Sequence, residues 1–122
     1  MKVLVVDDSA VMRKVIIGAL SQAGFNDICQ AADGQEAVTK VMAGDYGIVL
    51  MDWNMPNMSG LDALKAIRTN KSKVPIIMVT TEAEKSRIID ALKAGANNYI
   101  IKPFKPETIA SKVGEVLAKA SV

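Results

Sequence analysis

Val3-Leu4-Val5-Val6-Asp7-Asp8-Ser9 sets four apolar residues in a row directly against two adjacent carboxylates. A strand with one wet face alternates apolar and polar residues. An unbroken apolar run of this length instead fits a strand buried on both faces, as in a parallel sheet covered by helices. The same grammar recurs down the chain. Ile48-Val49-Leu50-Met51 ends in Asp52, Ile76-Ile77-Met78-Val79 in Thr80-Thr81, and Tyr99-Ile100-Ile101 in Lys102. Ile28-Cys29-Gln30-Ala31 is a weaker member, expected at a sheet edge.

Helical patterns fill the intervals. Met12, Val15, Ile16, Ala19, Leu20 and Ala23 recur at three- and four-residue spacing, with Gly24 placed as a stop. Asp33-Gly34-Gln35-Glu36 reads as a capping box ahead of Ala37, Val38, Val41 and Met42, and Gly44 closes that helix. Ser59 is positioned to cap a third helix carrying Leu61, Leu64 and Ile67. A fourth carries Ile88, Ile89 and Leu92 and stops at Gly95. Pro106 opens a fifth with Ile109, Val113, Val116 and Leu117 on its buried stripe. Strict alternation predicts an α/β fold of (βα)5 type, a doubly wound five-stranded parallel sheet with helices on both faces. One domain over residues 1–122, without linker or output domain, accounts for the pattern.

Composition agrees. Half of the 122 residues are hydrophobic and 23% are charged, which suits one folded domain and argues against disorder. No apolar run approaches the ~18 residues of a membrane span. Asp7-Asp8 interrupts the N-terminal run before a signal-peptide core can form, so a cytoplasmic monomer is expected. Cys29 is alone, which excludes an internal disulfide framework and leaves it as a small buried hydrophobe. The net charge of +2 is too small to indicate nucleic acid. Its distribution says more. Residues 1–84 carry eight Lys/Arg against ten Asp/Glu, and residues 85–122 carry seven against three. The C-terminal third, net +4, is either a set of solvated helix faces or a docking surface for an acidic partner.

All C-terminal strand ends of a parallel sheet lie on one edge, where such folds bind ligands. Asp7, Asp8, Asp52, Thr80, Thr81 and Lys102 are therefore expected to converge. Two carboxylates ~5 Å apart at an effective dielectric of ~20 repel by about 3 kcal/mol, so a raised pKa or a cation must compensate. Oxygen ligands with room for water suit Mg²⁺. A chain with no histidine and one cysteine offers little to zinc or copper. A carboxylate beside Mg²⁺, faced by Lys102 and Thr80, is equipped to accept a phosphoryl group. Asp52, alone on the middle strand, is the expected nucleophile, and at least one of Asp7 and Asp8 serves the metal. A single strand-end Asp more often caps a helix; for Asp8 capping and metal binding are compatible.

Taken together, Val5-Val6-Asp7-Asp8-Ser9, Met51-Asp52-Trp53-Asn54-Met55-Pro56-Asn57-Met58-Ser59-Gly60, Val79-Thr80 and Lys102-Pro103-Phe104 resemble receiver domains of two-component response regulators. The Asp52–Gly60 stretch is most similar to the CheY-like chemotaxis branch. The likeness runs from Met1 to the last helix, and it implies the flavodoxin-like strand order 2-1-3-4-5. It further implies that Asp52 accepts a phosphoryl group from a histidine kinase. Asp8 and Asp52 would bind Mg²⁺, with Mn²⁺ as a substitute, together with the main-chain carbonyl of Asn54, while Asp7 acts through water. Lys102 resembles the lysine that pairs with the phosphoryl group, Thr80 the switch hydroxyl, and Tyr99 the aromatic that turns inward when Thr80 moves. Lys102-Pro103 is similar to the family's cis peptide. Such a domain is a signalling switch, with no catalysis beyond its own phosphotransfer and autodephosphorylation.

The sequence departs from that pattern in places. Ser9 stands where the chemotaxis branch often carries an aromatic or hydrophobic residue, and Thr81 where alanine is common. Asn54 and Thr81 would flank the phosphoryl group and a hydrolytic water, and so set the phosphate lifetime. The basic residues Lys85, Arg87, Lys93, Lys105, Lys112 and Lys119 resemble the family's output face in character, with Tyr99 among them. The implied partners are a histidine kinase of chemotaxis type, a flagellar motor switch protein and a phosphatase. Trp53 is expected to pack at the surface, and Met55 and Met58 to fit their loop to its neighbours.

Three rivals share parts of this chemistry. A haloacid-dehalogenase-type phosphatase also uses Asp, Lys and Mg²⁺, but its Asp-x-Asp after the first strand does not match Asp7-Asp8-Ser9. A flavodoxin-like carrier needs hydroxyl and glycine donors for the flavin phosphate, which Asp7-Asp8 would repel. A stand-alone receiver acting as phosphorelay intermediate or phosphate sink keeps the switch and changes only the output.

Overall fold

Apolar runs alternating with amphipathic segments produce, in chain order, β1 (Lys2–Val6), α1 (Ala10–Gln22), β2 (Asp27–Ala31), α2 (Gly34–Ala43), β3 (Ile48–Asp52), α3 (Gly60–Thr69), β4 (Ile76–Thr81), α4 (Ile88–Ala94), β5 (Asn98–Lys102) and α5 (Pro106–Ala120). The computed structural model describes residues 1–81 and 86–120. All five strands are parallel, in the order β2-β1-β3-β4-β5. The order and the fold class are those expected.

Period-two geometry splits each apolar run between two cores. Leu4, Val6, Val49, Met51, Ile76 and Met78 face α2 and α3 through Ala37, Val41, Leu61, Leu64 and Ile67. Val3, Val5, Ile48, Leu50, Ile77 and Val79 face α1 and α5 through Ile16, Leu20, Ile109 and Val113. The apolar runs are continuous because both faces are covered.

The helix signals hold with local shifts. Ser9, not Asp8, caps α1, its side chain accepting from the Met12 amide at 3.2 Å. Asp8 is therefore not held by a capping role. Gly24 follows the C-cap Ala23 at φ +96, where a side chain would be strained. Asp33 accepts from the Glu36 amide at 2.8 Å, but the Glu36 carboxylate reaches the Ala32 amide, one residue beyond the usual box. Ser59 caps α3 as expected.

Five residues placed on helical stripes lie outside the buried face: Val15, Ala23, Met42, Ile89 and Leu92 are exposed. On α1 the sheet takes Ile16, Ala19 and Leu20, and Val15 lies one position round the helix. The seven-residue α4 packs against α3 and buries only Ile88 and Ala91, and Ile89 and Leu92 are left to solvent. In β5, expected to be buried on both faces, only Ile100 is, because β5 is an edge strand. Cys29 on the opposite edge is likewise half-buried. No helix among the described residues is long and apolar enough to cross a membrane.

Candidate functional site

Register decides which strand ends meet. Val6 lies beside Met51 across the β1–β3 pair, so the next residues, Asp7 and Asp52, come off neighbouring strands at the same level. One carboxylate oxygen each from Asp7, Asp8 and Asp52 falls within 4.8 Å of the others. Asp7 and Asp52 are buried and Asp8 is exposed, so the cluster opens to solvent on one side. Behind it the β3–α3 loop closes tightly. The Gly60 amide donates to the Trp53 carbonyl at 2.8 Å, and a Cβ at Gly60 would collide with the Asp52 carbonyl oxygen.

Lys102, paired with Thr81 across β4–β5, reaches back over the rim. Its Nζ lies 3.1 Å from Asp7 Oδ2 and 3.0 Å from Asp52 Oδ1. Burial pushes the Asp52 carboxyl above its ordinary value; the Lys102 ammonium pulls it part of the way back, and the Asp7 charge pushes it up again. For Lys102, burial favours the neutral amine, but Asp52 and Asp7 outweigh it and hold the ammonium above its ordinary value. One cation therefore serves two buried carboxylates, and the third acid is left to solvent.

Asp7 is held at every polar atom. Its amide donates to the Ala31 carbonyl at 3.1 Å, Oδ1 accepts from the Ser9 amide at 2.9 Å, and Oδ2 accepts from Lys102. Its carbonyl accepts from Arg13 Nη1 at 2.6 Å, and Arg13 Nε donates to Gln30 Oε1 at 2.9 Å. Nothing in the sequence pattern singles out Arg13. Its contact depends on α1 starting just above the β1–β2 seam, a tertiary fact without a local signal.

The other expected positions gather less closely. Thr80 is buried on β4, and its hydroxyl donates at 3.5 Å to the Thr81 carbonyl, not to Asp52. Thr81 is half-buried at the strand end, and Asn54 is exposed in the loop after Asp52. Tyr99 is half-buried, with Lys112 Nζ 5.3 Å from its ring centroid. Lys93, Lys105 and Lys119 are exposed, and Lys85 lies outside the described residues. Trp53 corrects an expectation: it is 1% exposed in the core with Met51, Leu64 and Met78, because its amide still donates to the Val79 carbonyl and it continues the alternate face of Val49 and Met51. Arg87 at the start of α4 lies over its ring at 5.0 Å.

Three carboxylates without histidine or thiolate form a hard oxygen donor set, which fits Mg²⁺ or Mn²⁺ better than a softer metal. The open side at Asp8 leaves room for water and for an incoming anion.

Comparisons with known proteins agree with this geometry. Residues 3–114 match the model of the response regulator receiver domain. The chain is 48% identical over 120 residues to the chemotaxis protein CheY1 of Helicobacter pylori, covering 96% of this chain and 97% of that protein. It is 46% identical over 124 residues to a chemotaxis protein CheY homologue of Campylobacter jejuni, covering 99% and 95%. The solved chemotaxis response regulator CheY4 of Vibrio cholerae superposes with a TM-score of 0.86 at 36% identity, over 94% of this chain and 97% of that one. A trio of acids at the sheet rim, a lysine bridging two of them and a match spanning nearly every element lead to one assignment: the chain belongs to the response regulator receiver domain family and is a CheY-like signalling protein of two-component systems.

Proposed function

We propose that this receiver is a switch thrown by phosphorylation of Asp52, with a histidine kinase of chemotaxis type as donor and a flagellar motor switch protein as target. The observation that carries the reading is Lys102, which bridges Asp7 and Asp52 beside an open carboxylate. In the transfer, an Asp52 oxygen forms the new O–P bond while the N–P bond of the donor phosphohistidine breaks, its electron pair staying on the imidazole. Lys102 Nζ, already 3.0 Å from an Asp52 oxygen, is placed to neutralise charge on the arriving group.

Asp8, Asp52 and the Asn54 carbonyl would hold Mg²⁺, which supplies charge neutralisation of the phosphoryl oxygens when bound. Asp7, with both carboxylate oxygens already accepting from protein donors, suits a role through water. Among the described residues the Thr80 hydroxyl makes one long bond, to its neighbour's carbonyl, so turning it toward a phosphoryl oxygen gives up little. Tyr99 then has space to move inward on β5. Driving such a switch from 1% to 99% active would take about 5.5 kcal/mol. One charge-assisted hydrogen bond contributes roughly 1.5–3 kcal/mol. A partial shift completed by the partner follows. Exposed Ile89 and Leu92 on α4, with basic Arg87 and Lys93 on the same helix, Lys105 ahead of α5 and Lys112 at the Tyr99 ring, suit an acidic peptide with apolar anchors, in line with the chemotaxis role that the relatives' names carry.

Intact-mass measurement after acetyl phosphate, with Mg²⁺ and with chelator, tests this. One added phosphoryl group in Mg²⁺ and none in chelator is expected. Equal labelling in both would remove the metal from the reading, and no labelling in either would remove the acceptor.

A further inference from the structure

We infer that Arg13 is a positioning residue for the acidic site, one that sets the direction of Asp8 by holding the peptide joining it to Asp7. The inference rests on the metal-binding reading above. Asp8 is the exposed member of the trio, and Ser9, not Asp8, caps α1. The orientation of its carboxylate therefore depends on the main chain that carries it.

That main chain is held on both sides, by the Asp7 amide on the Ala31 carbonyl and the Ser9 amide on Asp7 Oδ1, and the peptide between them rests on Arg13. The carbonyl of the Asp7–Asp8 peptide accepts from Arg13 Nη1 at 2.6 Å, a charge-assisted bond of the stronger kind. The guanidinium is itself fixed, since Nε donates to Gln30 Oε1 at 2.9 Å across the β1–β2 seam. Gln30 is anchored in turn, because its carbonyl accepts from Lys40 Nζ, and Lys40 is paired with Glu36 at 3.1 Å. A planar guanidinium with two diverging donors spans two acceptors in one fixed geometry, which a lysine ammonium cannot reproduce. Arg13 is half-buried, so water competes only partly for the same carbonyl. Removing it lets the peptide tilt between its two held neighbours, and Asp8 loses part of its alignment with Asp52. The Asp7 carboxylate keeps its own holds on Ser9 and Lys102, so the effect falls on Asp8.

Calorimetric titration with Mg²⁺ alone tests this, on wild type, Arg13→Ala, Arg13→Lys and Gln30→Ala. Outer partners of metal ligands typically matter by 10–100-fold in affinity, and about a tenfold weakening is expected for Arg13→Ala. Arg13→Lys should recover part of it, and Gln30→Ala should weaken binding less than Arg13→Ala. Because Arg13 touches no reacting atom, labelling by acetyl phosphate at saturating Mg²⁺ should return to the wild-type rate. Thermal unfolding in chelator separates a purely structural role. If Arg13→Ala melts earlier yet binds Mg²⁺ as wild type does, the inference is overturned and the site reading stands. If wild type itself binds no Mg²⁺, both fall.

Discussion

Asp52→Asn is expected to take up no phosphoryl group from acetyl phosphate at any Mg²⁺ concentration, while wild type takes up one. Asparagine keeps the size and one carbonyl oxygen of the side chain, so the loop closed by Gly60 and the packing of Trp53 need not change. What disappears is the anionic oxygen that is proposed to attack phosphorus. The variant should fold, because burial already pushes the Asp52 carboxyl up, a sign that its charge is unfavourable there. Lys102 retains Asp7 as a partner at 3.1 Å. Saturating Mg²⁺ separates loss of the nucleophile from weakened metal binding: a weakened metal site recovers labelling as Mg²⁺ rises, and a missing nucleophile does not. Labelling equal to wild type would move the acceptor elsewhere, and peptide mapping would find it.

Lys102→Ala is expected to lose signalling while still accepting phosphate. Its ammonium ties β5 to the carboxylates at the ends of β1 and β3. Without it a phosphoryl group on Asp52 has no purchase on the strand that carries Tyr99. Phosphorylated Lys102→Ala should therefore bind a motor-switch peptide no better than unphosphorylated protein does. Mg²⁺ binding should persist, since the acids remain and a competing cation is gone. Full phosphate-dependent partner affinity would count against Lys102 as the link.

The same substitution should be felt in stability. Asp7 and Asp52 are left buried without a counter-charge, and removing one partner of a fully buried pair costs roughly 3–5 kcal/mol. Lys102 is 19% exposed at its side chain, which lowers the expectation to about 2 kcal/mol. The sign with pH follows. A carboxyl raised above its unfolded value lowers stability above that range and restores it as pH falls through the folded pKa. Asp52 is already raised by burial and loses the ammonium that draws it down. Urea unfolding in chelator should therefore show the Lys102→Ala deficit shrinking as the buffer turns mildly acidic, and a parallel series with Mg²⁺ in place of chelator should show a smaller deficit.

Much of this was legible in the sequence, for definite reasons. A residue that ends a buried parallel strand has its position fixed by sheet topology, so Asp7, Asp52, Thr80 and Lys102 could be placed on one rim from spacing alone. Cap signals at Asp33 and Ser59 are local chemistry and stayed legible. The strand order came from resemblance, because apolar runs do not say which neighbour they pair with. Burial of Trp53 was missed because Asp52 ends the apolar run, although Trp53 continues the alternate face of β3. The solvent-facing Ile89 and Leu92 were missed because the short α4 buries only Ile88 and Ala91. Arg13 was invisible for a similar reason: its two acceptors belong to different strands.

Asp7, Asp8 and Asp52 are proposed to act as one divalent-ion site at the sheet rim. Calorimetric titration of Mg²⁺ into wild type and Asp8→Asn tests that most directly. One Mg²⁺ per wild-type chain is expected, and an affinity lower by at least about a hundredfold in the variant, since loss of a direct ligand exceeds loss of an outer partner. Equal affinity in the two proteins, or no heat of binding in wild type, would contradict it.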